Sequence, residues 1–583
     1  MDIYTKCIKP PSDTTIVLIY ALGSLGDAIS LYTLAVHLAH RSLDKNCTHD
    51  LKWSSCNRHF DPHLCICHSG HDSRSEPTTA TRLSDKKLLI CFMTSDSVCN
   101  NLLILCGSHT CVQLFPISDL CRGLLPEETD MSFAARQHQH ERSSMIRMAK
   151  IFRPINPIST DTSTPINEPL SPMFILFNLF SIGAWSIAEA LDVPCIGISP
   201  FNPKTTVSTP SNFLEELSTC RPFLTRQIML QSMNDRVQTH PILNQHFNCS
   251  IHIHPIKVAE LEFWMWRLFV DDHDDFRQEL GLDYPPFAKL CDKLNGNLKT
   301  MIPATPLLLL QNDMLSSKVN LPASVISTGF IQPLSQCSLA LQACQGYADI
   351  SEWCKKTLTK GTLIINFGSM EMHSKEFNDY ATVQHLIKCI EYALQSLKCR
   401  AIWISCTENH LLNACFLERS SKSNYEYPIY NYSHALPLEC ITDLVQKYGA
   451  DNGPHYYPNT TNNKSQIPVA VLHHGGVGTF QHCLSLGLVQ LIMPQGFDQH
   501  ESLYCGIQNS VARGVEASMS ELEWKAAIHW ALLKDQSLIA KQLQSLMDSK
   551  EKMGVDGTVQ LIWDWMFRSH DLPDFACDEV SNQ

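Results

Sequence analysis

The stretch VLHHGGVGTFQHCLSLGLVQLIMPQGFDQH, residues 471–500, has the alternating pattern of a parallel α/β unit. Its apolar start predicts a buried strand, the glycine-rich residues 473–479 predict a turn, and a helix is expected from Phe480 onward. The apolar run 487–494 predicts the next strand, because continuous apolar runs belong in sheets that are covered on both faces. The stretch therefore predicts an open α/β sheet.

The turn and the end of this stretch carry groups that suit a phosphorylated sugar. Glycines let a phosphate approach the backbone, and the N–H groups at a helix start favour negative charge. His474 can donate a hydrogen bond to a diphosphate, and Thr479 adds a hydroxyl. Asp498 and Gln499 follow the next strand at its carboxyl end, and a carboxylate beside an amide suits sugar hydroxyls. The alternative is a plain turn and a solvated loop, which we disfavour because the two groups lie at matching ends of consecutive strands.

Length, charge and cysteine content restrict the class of protein. The 583 residues exceed what one core usually organises, so two lobes with insertions are expected. The net charge of -13, with no run of Lys and Arg, argues against a nucleic-acid partner. The 25 cysteines are an odd number, and the start MDIYTKCIKPPSDTT has no apolar signal core, so we expect a reduced, cytoplasmic protein.

The most apolar segment is MFILFNLFSIGAWSIAEAL, residues 173–191. Asn178, Ser181 and Glu189 interrupt it, and a lone membrane span tolerates such residues poorly. We predict a buried strand followed by a helix, with no integral membrane span; peripheral contact with a membrane is left open.

The first predicted unit, TTIVLIYALGSLGDAISLYTLAVHLAHR, begins at Thr14 and joins an apolar run to a helical segment through a glycine turn. Its Gly-x-x-Gly-Asp spacing departs from the Gly-x-Gly-x-x-Gly dinucleotide fingerprint, which disfavours NAD or FAD. Asp27 lies at the helix start, where a cap worth about 1 kcal/mol is the alternative to a catalytic role. For Ser24 a ligand contact and an ordinary turn role are equally open.

Strand and helix patterns divide the chain into two α/β lobes. The first is predicted to cover residues 1–300, with a polar insertion at about 42–85. The second is predicted to cover residues 301–560, with an insertion at about 443–466, and residues 561–583 form a helix end and a tail. The segments TPLLLLQND and ASVISTGFI are predicted as strands of the second lobe.

Three further features have a structural and a functional interpretation. The run DDHDD, residues 271–275, suits a solvated helix boundary better than a metal-diphosphate site. Trp264 and Trp266 are expected in the core or in the wall of an acceptor cleft. The first insertion has zinc-type ligands at irregular spacing, which favours a disordered insertion and leaves zinc open: Cys56, His59, His63, Cys65, Cys67, His68 and His71.

Five segments, taken in chain order, carry a resemblance to a known family: YALGSLGD, IAEALDVPCIGISPF, LIINFGSM, HHGGVGT and GLVQLIMPQGFDQ. They resemble the UDP-glycosyltransferases, most closely the sterol-glucosyltransferase-like and antibiotic-glycosyltransferase branches, over most of the chain outside the insertions. The resemblance implies the α/β fold called GT-B, in which two Rossmann-like parallel-sheet lobes face a cleft, here with polar insertions. It also implies a UDP-sugar donor, a lipophilic small-molecule acceptor, and neither cofactor nor metal.

The resemblance assigns roles residue by residue. Asp27 takes the place of the catalytic base, and Asp498 with Gln499 would hold the sugar. The other donor-site residues would contact the diphosphate: Ser369, His474, Gly476, Gly478 and Thr479.

The base-binding segment departs from the family pattern. In YNYSHALPLECI only His434 and Leu436 stand near the expected aromatic platform, and His482 stands where many relatives have an acidic ribose ligand. Recognition of a sugar nucleotide is therefore better supported than recognition of uracil.

The sequence predicts an inverting glycosyltransferase that moves a hexose, with glucose expected, from a UDP-sugar to a hydroxyl of a sterol, terpenoid or polyketide. One alternative is a non-catalytic sugar-nucleotide-binding relative. A nicotinamide-dependent oxidoreductase is the less favoured one.

Overall fold

The computed structural model describes the chain in ranges separated by gaps. The described residues are 14–23, 25–43, 87–106, 111–117, 142, 145, 146, 149, 152, 172–203, 212–220, 222, 225, 226, 261–270, 274–282, 305–312, 321, 322, 324–332, 345–356, 359–368, 375–405, 410–422, 428–432, 438–449, 467–496, 498–550 and 553–567.

Seven parallel strands form the first sheet, in the order β3-β2-β1-β4-β5-β6-β7. The order reverses between β1 and β4, which pair directly, so a crevice is expected beyond the carboxyl ends of these two strands. The strands are β1 (Thr14–Tyr20), β2 (Lys87–Thr94), β3 (Val112–Pro116), β4 (Pro172–Asn178), β5 (Cys195–Ser199), β6 (Leu307–Leu309) and β7 (Val325–Ser327).

Helices cover both faces of this sheet, which is why its strands are apolar on both sides. One face packs on α1 and α2, and the other packs on α3, α4 and a π-helical turn, Leu261–Met265. The helices are α1 (Leu25–Leu43), α2 (Asp96–Cys106), α3 (Ala184–Leu191), α4 (Phe213–Cys220), α5 (Arg267–Val270) and α6 (Asp274–Glu279).

The first sheet extends past the predicted lobe boundary at residue 300. β6 pairs with β5, with Gly197 opposite Leu307, and β7 pairs with β6. The segments TPLLLLQND and ASVISTGFI, which we assigned to the second lobe, therefore belong to the first. The correction has a simple cause: an apolar run of three strand residues predicts a buried strand but carries no information on which sheet receives it.

Six parallel strands form the second sheet, in the order β10-β9-β8-β11-β12-β13. Its order reverses between β8 and β11, so its crevice is expected at the carboxyl end of β11, where the HHGGVGT segment begins. The strands are β8 (Thr362–Asn366), β9 (Arg400–Ile404), β10 (Ile429–Tyr432), β11 (Val469–His473), β12 (Val489–Ile492) and β13 (Ala512–Gly514).

The second sheet is also covered by helices on both faces. Local signals define several of their ends. Asp379 caps α9 through the N–H of Thr382, and Ser520 with Glu523 forms a capping box on α14. The helices are α7 (Gln345–Lys356), α8 (Lys375–Asn378), α9 (Tyr380–Leu397), α10 (His410–Lys422), α11 (Leu438–Gly449), α12 (Val477–Ser485), α13 (Gln499–Gln508), α14 (Glu521–Ala531) and α15 (Lys534–Lys550).

The last described helix, α16 (Gly554–Phe567), returns to the first lobe. Its apolar side joins the core on the α1 face of the first sheet, and the guanidinium of Arg41 lies 5.6 Å from the ring centre of Trp563. The residues of α16 up to 560, which we assigned to the second lobe, therefore pack on the first. The apolar face of α1 explains this, because Val559, Ile562 and Trp565 of α16 join the same core as that face.

The predicted insertions lie largely outside the described residues. Residues 44–86, with the Cys and His cluster, and residues 450–466 are not described. The second insertion was predicted from residue 443, and residues 443–449 form the end of α11. Among the helices that the structure describes, none has the length and apolar character needed to cross a bilayer.

Candidate functional site

The site is built around the turn between β11 and α12. The sequence predicted a helix from Phe480, whereas α12 begins at Val477, because Gly476 takes the N-cap position. Gly478 and Thr479 therefore lie in the first helical turn, where backbone N–H groups have no partner within the helix. This places the predicted diphosphate contacts at a helix start.

His473 has a structural role in this turn. It is fully buried, and the N–H of Gly475 donates to its Nδ1 at 3.0 Å. The proton therefore sits on Nε2, which lies 2.8 Å from Oε1 of Gln490. Burial lowers the pKa of His473 to about 4, so the ring is neutral and fixed at neutral pH.

His474 lies between two glycine turns. A Cβ at Gly476 would lie 2.5 Å from its Nε2, and one at Gly368 would lie 3.8 Å from its Cε1. Its Nδ1 is buried and has no hydrogen-bond partner among the described residues. Burial, and then the neighbouring His473, lower the pKa of His474 to about 3, although the backbone of Phe367 opposes this, so the predicted hydrogen bond to a phosphate would come from a neutral ring.

Asp498 approaches the same helix start from the loop after β12. The N–H of Val477 donates to its Oδ2 at 2.8 Å, so the carboxylate lies where α12 attracts an anion. Burial, and then the charge of Asp27, raise the pKa of Asp498 to about 7, although the N–H of Val477 opposes this. An acidic group that holds its proton near neutral pH is typical of functional sites.

The side-chain oxygen of Gln499 is hydrogen-bonded within the loop that precedes α13. Its Oε1 accepts hydrogen bonds from the N–H groups of Gln495 and Gly496, at 2.6 and 3.2 Å. The amide nitrogen is then the group left to meet a sugar. Gly475 takes a φ of +97° beside it, and a Cβ there would lie 3.1 Å from the carbonyl oxygen of Gln499, so glycine is required.

Asp27 is contributed by the first lobe. It is the third residue of α1, which begins at Leu25, and it follows the turn at Gly23, whose φ is +102°. The two lobes meet at this point: a Cβ on Gly478 would lie 3.4 Å from the carbonyl oxygen of Gly26. The structure thus brings Asp27, His474 and Asp498 to one junction.

A small aromatic cavity of about 30 Å³, open to solvent, lies beside this junction in the first lobe. Its wall residue Phe180 packs against Gly23, with Cδ2 2.8 Å from the Cβ position there. A smaller cavity between the lobes borders Asp498, and Phe201 lines both cavities. The larger one is lined by Leu179, Phe180, Ile182, Phe201, Pro203, Phe263, Trp264, Trp266 and Arg267.

Two glycosyltransferases of known structure are similar to the chain over nearly its whole length. The glycosyltransferase of kitacinnamycin is 12% identical, with a TM-score of 0.50, over 95% of this chain and 100% of that one. The spinosyn forosaminyltransferase SpnP is 11% identical, with a TM-score of 0.50, over 95% of this chain and 99% of that one. The chain has the GT-B fold. No protein-family model and no curated protein matches it.

In this GT-B chain, the structure describes some of the predicted site residues and not others. Thr479 is half-buried in the first turn of α12, and His482 is half-buried on the same helix. His482 lies four residues after Gly478, and therefore on the same face of the helix. Three predicted residues lie outside the described part of the chain: Ser24, Ser369 and His434.

Three further polar residues form buried hydrogen bonds near this junction, and the sequence does not single them out as functional. Asn178 and Ser181 bind the backbone of Leu22 beside the Asp27 turn, and Gln481 binds the backbone of the first lobe from α12. The available signal was a polar side chain inside an apolar run, and we had interpreted Asn178 and Ser181 only as arguments against a membrane span.

Among the residues that the structure describes, no group of three or more His, Cys, Asp or Glu side chains is arranged to hold a metal ion. The Cys and His cluster of the first insertion, for which a disordered insertion is predicted and zinc is left open, lies outside that part.

Proposed function

We propose that the protein is an inverting glycosyltransferase that moves a hexose, with glucose expected, from a UDP-sugar to a hydroxyl of a lipophilic small molecule. The meeting of Asp27 with the His474 turn and Asp498, between the carboxyl ends of two parallel sheets, carries the proposal. The GT-B fold is consistent with it.

The proposed mechanism is a single displacement. The carboxylate of Asp27 takes the proton of the acceptor hydroxyl while that oxygen attacks the anomeric carbon. The bond from this carbon to the diphosphate oxygen breaks, and the leaving nucleoside diphosphate takes the electron pair. The helix start at Val477 and the ring of His474 would stabilise its charge without a metal. Attack opposite the leaving group inverts the anomeric centre.

The other residues would hold the two substrates. Asp498 and the amide of Gln499 would contact sugar hydroxyls, with Thr479 and the backbone at Gly478 on the phosphates. The aromatic cavity would receive the acceptor, because its apolar walls favour a lipophilic ring system and Phe180 borders the Asp27 turn. We also propose a cytoplasmic, reducing setting, since the cysteines whose side chains the structure describes are all thiols.

The test is release of UDP from UDP-glucose, with EDTA present, in the presence and absence of a panel of sterol, terpenoid and phenolic acceptors. Acceptor-dependent UDP release, with a glycoside detected by mass spectrometry, is expected. Binding of UDP without transfer to any acceptor would favour a non-catalytic sugar-nucleotide-binding protein, and activity only after adding Mg²⁺ or Mn²⁺ would contradict the metal-free mechanism.

A further inference from the structure

Two buried polar side chains at the end of β4 stand out in an otherwise apolar layer. Asn178 is the last residue of β4, Ser181 ends the 3-10 turn that follows, and each has a relative exposure of 1%. A buried amide or hydroxyl is costly unless it forms hydrogen bonds, so the partners of these groups show what the pair is for.

Both side chains bind the backbone of Leu22, the residue before the Asp27 turn. The N–H of Leu22 donates to Oγ of Ser181 at 3.0 Å, and Nδ2 of Asn178 donates to the carbonyl oxygen of Leu22 at 2.5 Å. Oγ of Ser181 in turn donates to Oδ1 of Asn178 at 2.9 Å. The result is a closed ring of hydrogen bonds that satisfies both backbone groups of Leu22.

The ring lies directly beside the candidate base. Gly23 follows Leu22, and the position of a Cβ on Gly23 lies 2.9 Å from Oδ2 of Asp27 and 2.8 Å from Cδ2 of Phe180. Phe180 belongs to the same turn as Ser181, and its ring centre lies 6.0 Å from that of Phe201, another wall of the aromatic cavity. One short turn therefore touches both the backbone that leads to Asp27 and the surface offered to the acceptor.

We infer that Asn178 and Ser181 are positioning residues for the transfer step, which fix Asp27 relative to an acceptor held against Phe180. The inference rests on the proposed function. Among the described residues, the hydrogen bonds of both side chains go to Leu22 and to each other and none goes to the turn between β11 and α12, so we expect their effect on turnover and not on the binding of UDP. A shift of about 1 Å in a reacting group is enough to cost on the order of a hundredfold in rate.

The experiment compares Ser181→Ala with Ser186→Ala. Ser186 is also 1% exposed and lies five positions further along, but its hydroxyl pairs with Arg277 at 3.2 Å, away from Leu22. Both variants remove one buried hydroxyl from the same lobe. We expect Ser181→Ala to lower kcat roughly 10- to 100-fold, with UDP affinity and donor KM within about threefold of wild type, and Ser186→Ala to keep kcat.

A second measurement does not depend on turnover. Hydrogen exchange of the peptide spanning residues 14–28 should be faster in Ser181→Ala, because the N–H of Leu22 loses its acceptor, and unchanged in Ser186→Ala. Equal exchange in the two variants, or equal kcat, overturns the positioning role. The two proposals can fail separately. If the wild-type protein binds UDP but transfers sugar to no acceptor, the proposed function is overturned. If hydrogen exchange still differs between the two variants as expected, the ring of hydrogen bonds around Leu22 is established.

Discussion

At the scale of single residues, His473 is fully buried and its neighbour His474 is half-buried, both rings are neutral because their pKa values are lowered, and yet their ring nitrogens differ. Both nitrogens of His473 have partners within the protein, Gly475 and Gln490. Nδ1 of His474 has none among the described residues. A buried polar atom without a partner is costly, and the simplest explanation here is that a ligand supplies the partner.

The first prediction therefore contrasts the two histidines. His474→Ala should weaken UDP binding by about 1.5–3 kcal/mol, the value of one hydrogen bond to a charged group, with little change in Tm. His473→Ala should instead lower Tm, because Gly475 and Gln490 lose their partner. Isothermal calorimetry and thermal denaturation of both variants test this, and wild-type UDP affinity in His474→Ala would show that the phosphate site lies elsewhere.

The second prediction concerns Asp27. Because it is the third residue of α1, Asp27→Asn loses an interaction with the helix dipole worth only about 0.3–1 kcal/mol. Loss of a general base should lower kcat about a hundred- to ten-thousand-fold at saturating acceptor, with UDP affinity retained. The control is Asp96→Asn, which alters an acidic residue in the first turn of α2. If Asp27→Asn stays within a few-fold of wild type, Asp27 is structural.

The third prediction is a pH dependence caused by Asp498, whose pKa is about 7 in the folded protein against an ordinary 3.8. The folded state binds this proton more tightly than the unfolded chain. Its contribution to the free energy of unfolding is therefore full below about pH 4 and is lost as pH rises to about 7. Each tenfold difference in proton affinity between the folded and unfolded states is worth about 1.4 kcal/mol. Denaturant unfolding across this pH range tests the prediction, and Asp498→Asn should remove the loss.

The same carboxylate should affect donor binding. Once deprotonated, Asp498 repels a diphosphate bound beside it at the start of α12, so UDP affinity should fall as pH rises from about 6 to about 8. The affinity of the wild-type protein for UDP is divided by that of Asp498→Asn at each pH. This ratio is independent of the titration of UDP itself, because both proteins bind the same ligand. A ratio that does not change with pH would contradict the raised pKa.

At the scale of elements, the turn before α12 is limited by side-chain space and not by backbone strain. Gly476 has φ -54° and ψ 136°, which alanine adopts freely, yet a Cβ there would lie 2.5 Å from Nε2 of His474. The glycine is needed because the imidazole occupies that space.

The fourth prediction follows from this contact. Gly476→Ala should displace the ring of His474 and weaken UDP binding about as much as His474→Ala does. In the double variant the added methyl group meets no ring, so it should cost close to nothing further. Calorimetry on the four proteins of this cycle tests the coupling, and additive effects of the two changes would show that Gly476 acts independently of His474.

Elements were predictable from sequence where a signal was long and local. The runs that became β1, β4 and β11 are continuous and apolar, and the glycine turns after β1 and β11 gave the positions of Asp27 and His474. The three-residue β6 was too short to be assigned to a sheet. The hydrogen bond from Asn178 to Leu22 joins residues 156 positions apart. The sequence therefore shows Asn178 only as a polar residue within an apolar run and gives no indication of its partner.

At the scale of the whole molecule, the two lobes are joined at α12. Gln481 on α12 is 1% exposed, and its amide donates to the carbonyl oxygen of Leu310 at 3.2 Å and accepts from the N–H of Asn312 at 3.4 Å. These hydrogen bonds join α12 of the second lobe directly to the segment after β6 of the first.

The fifth prediction is that Gln481→Met uncouples the unfolding of the lobes. It removes the hydrogen bonds that Gln481 forms with the backbone of Leu310 and Asn312, each worth about 0.5–1.5 kcal/mol. Gln544→Met is the matched control, because that amide binds the carbonyl oxygen of Ser485 within one lobe. Both should lower Tm, but only Gln481→Met should raise the ratio of calorimetric to van't Hoff enthalpy. The same ratio in both variants would show that Gln481 does not couple the lobes.

The return of α16 to the first lobe has a consequence for biosynthesis. The core on the α1 face includes Val559, Ile562 and Trp565, so the nascent first lobe has this surface uncovered until the ribosome has made the whole second lobe. At about 5–20 residues per second this interval lasts roughly ten seconds or longer. We expect chaperones to bind the apolar face of α1 during synthesis, and chains stalled before Gly554 to be recognised as incomplete.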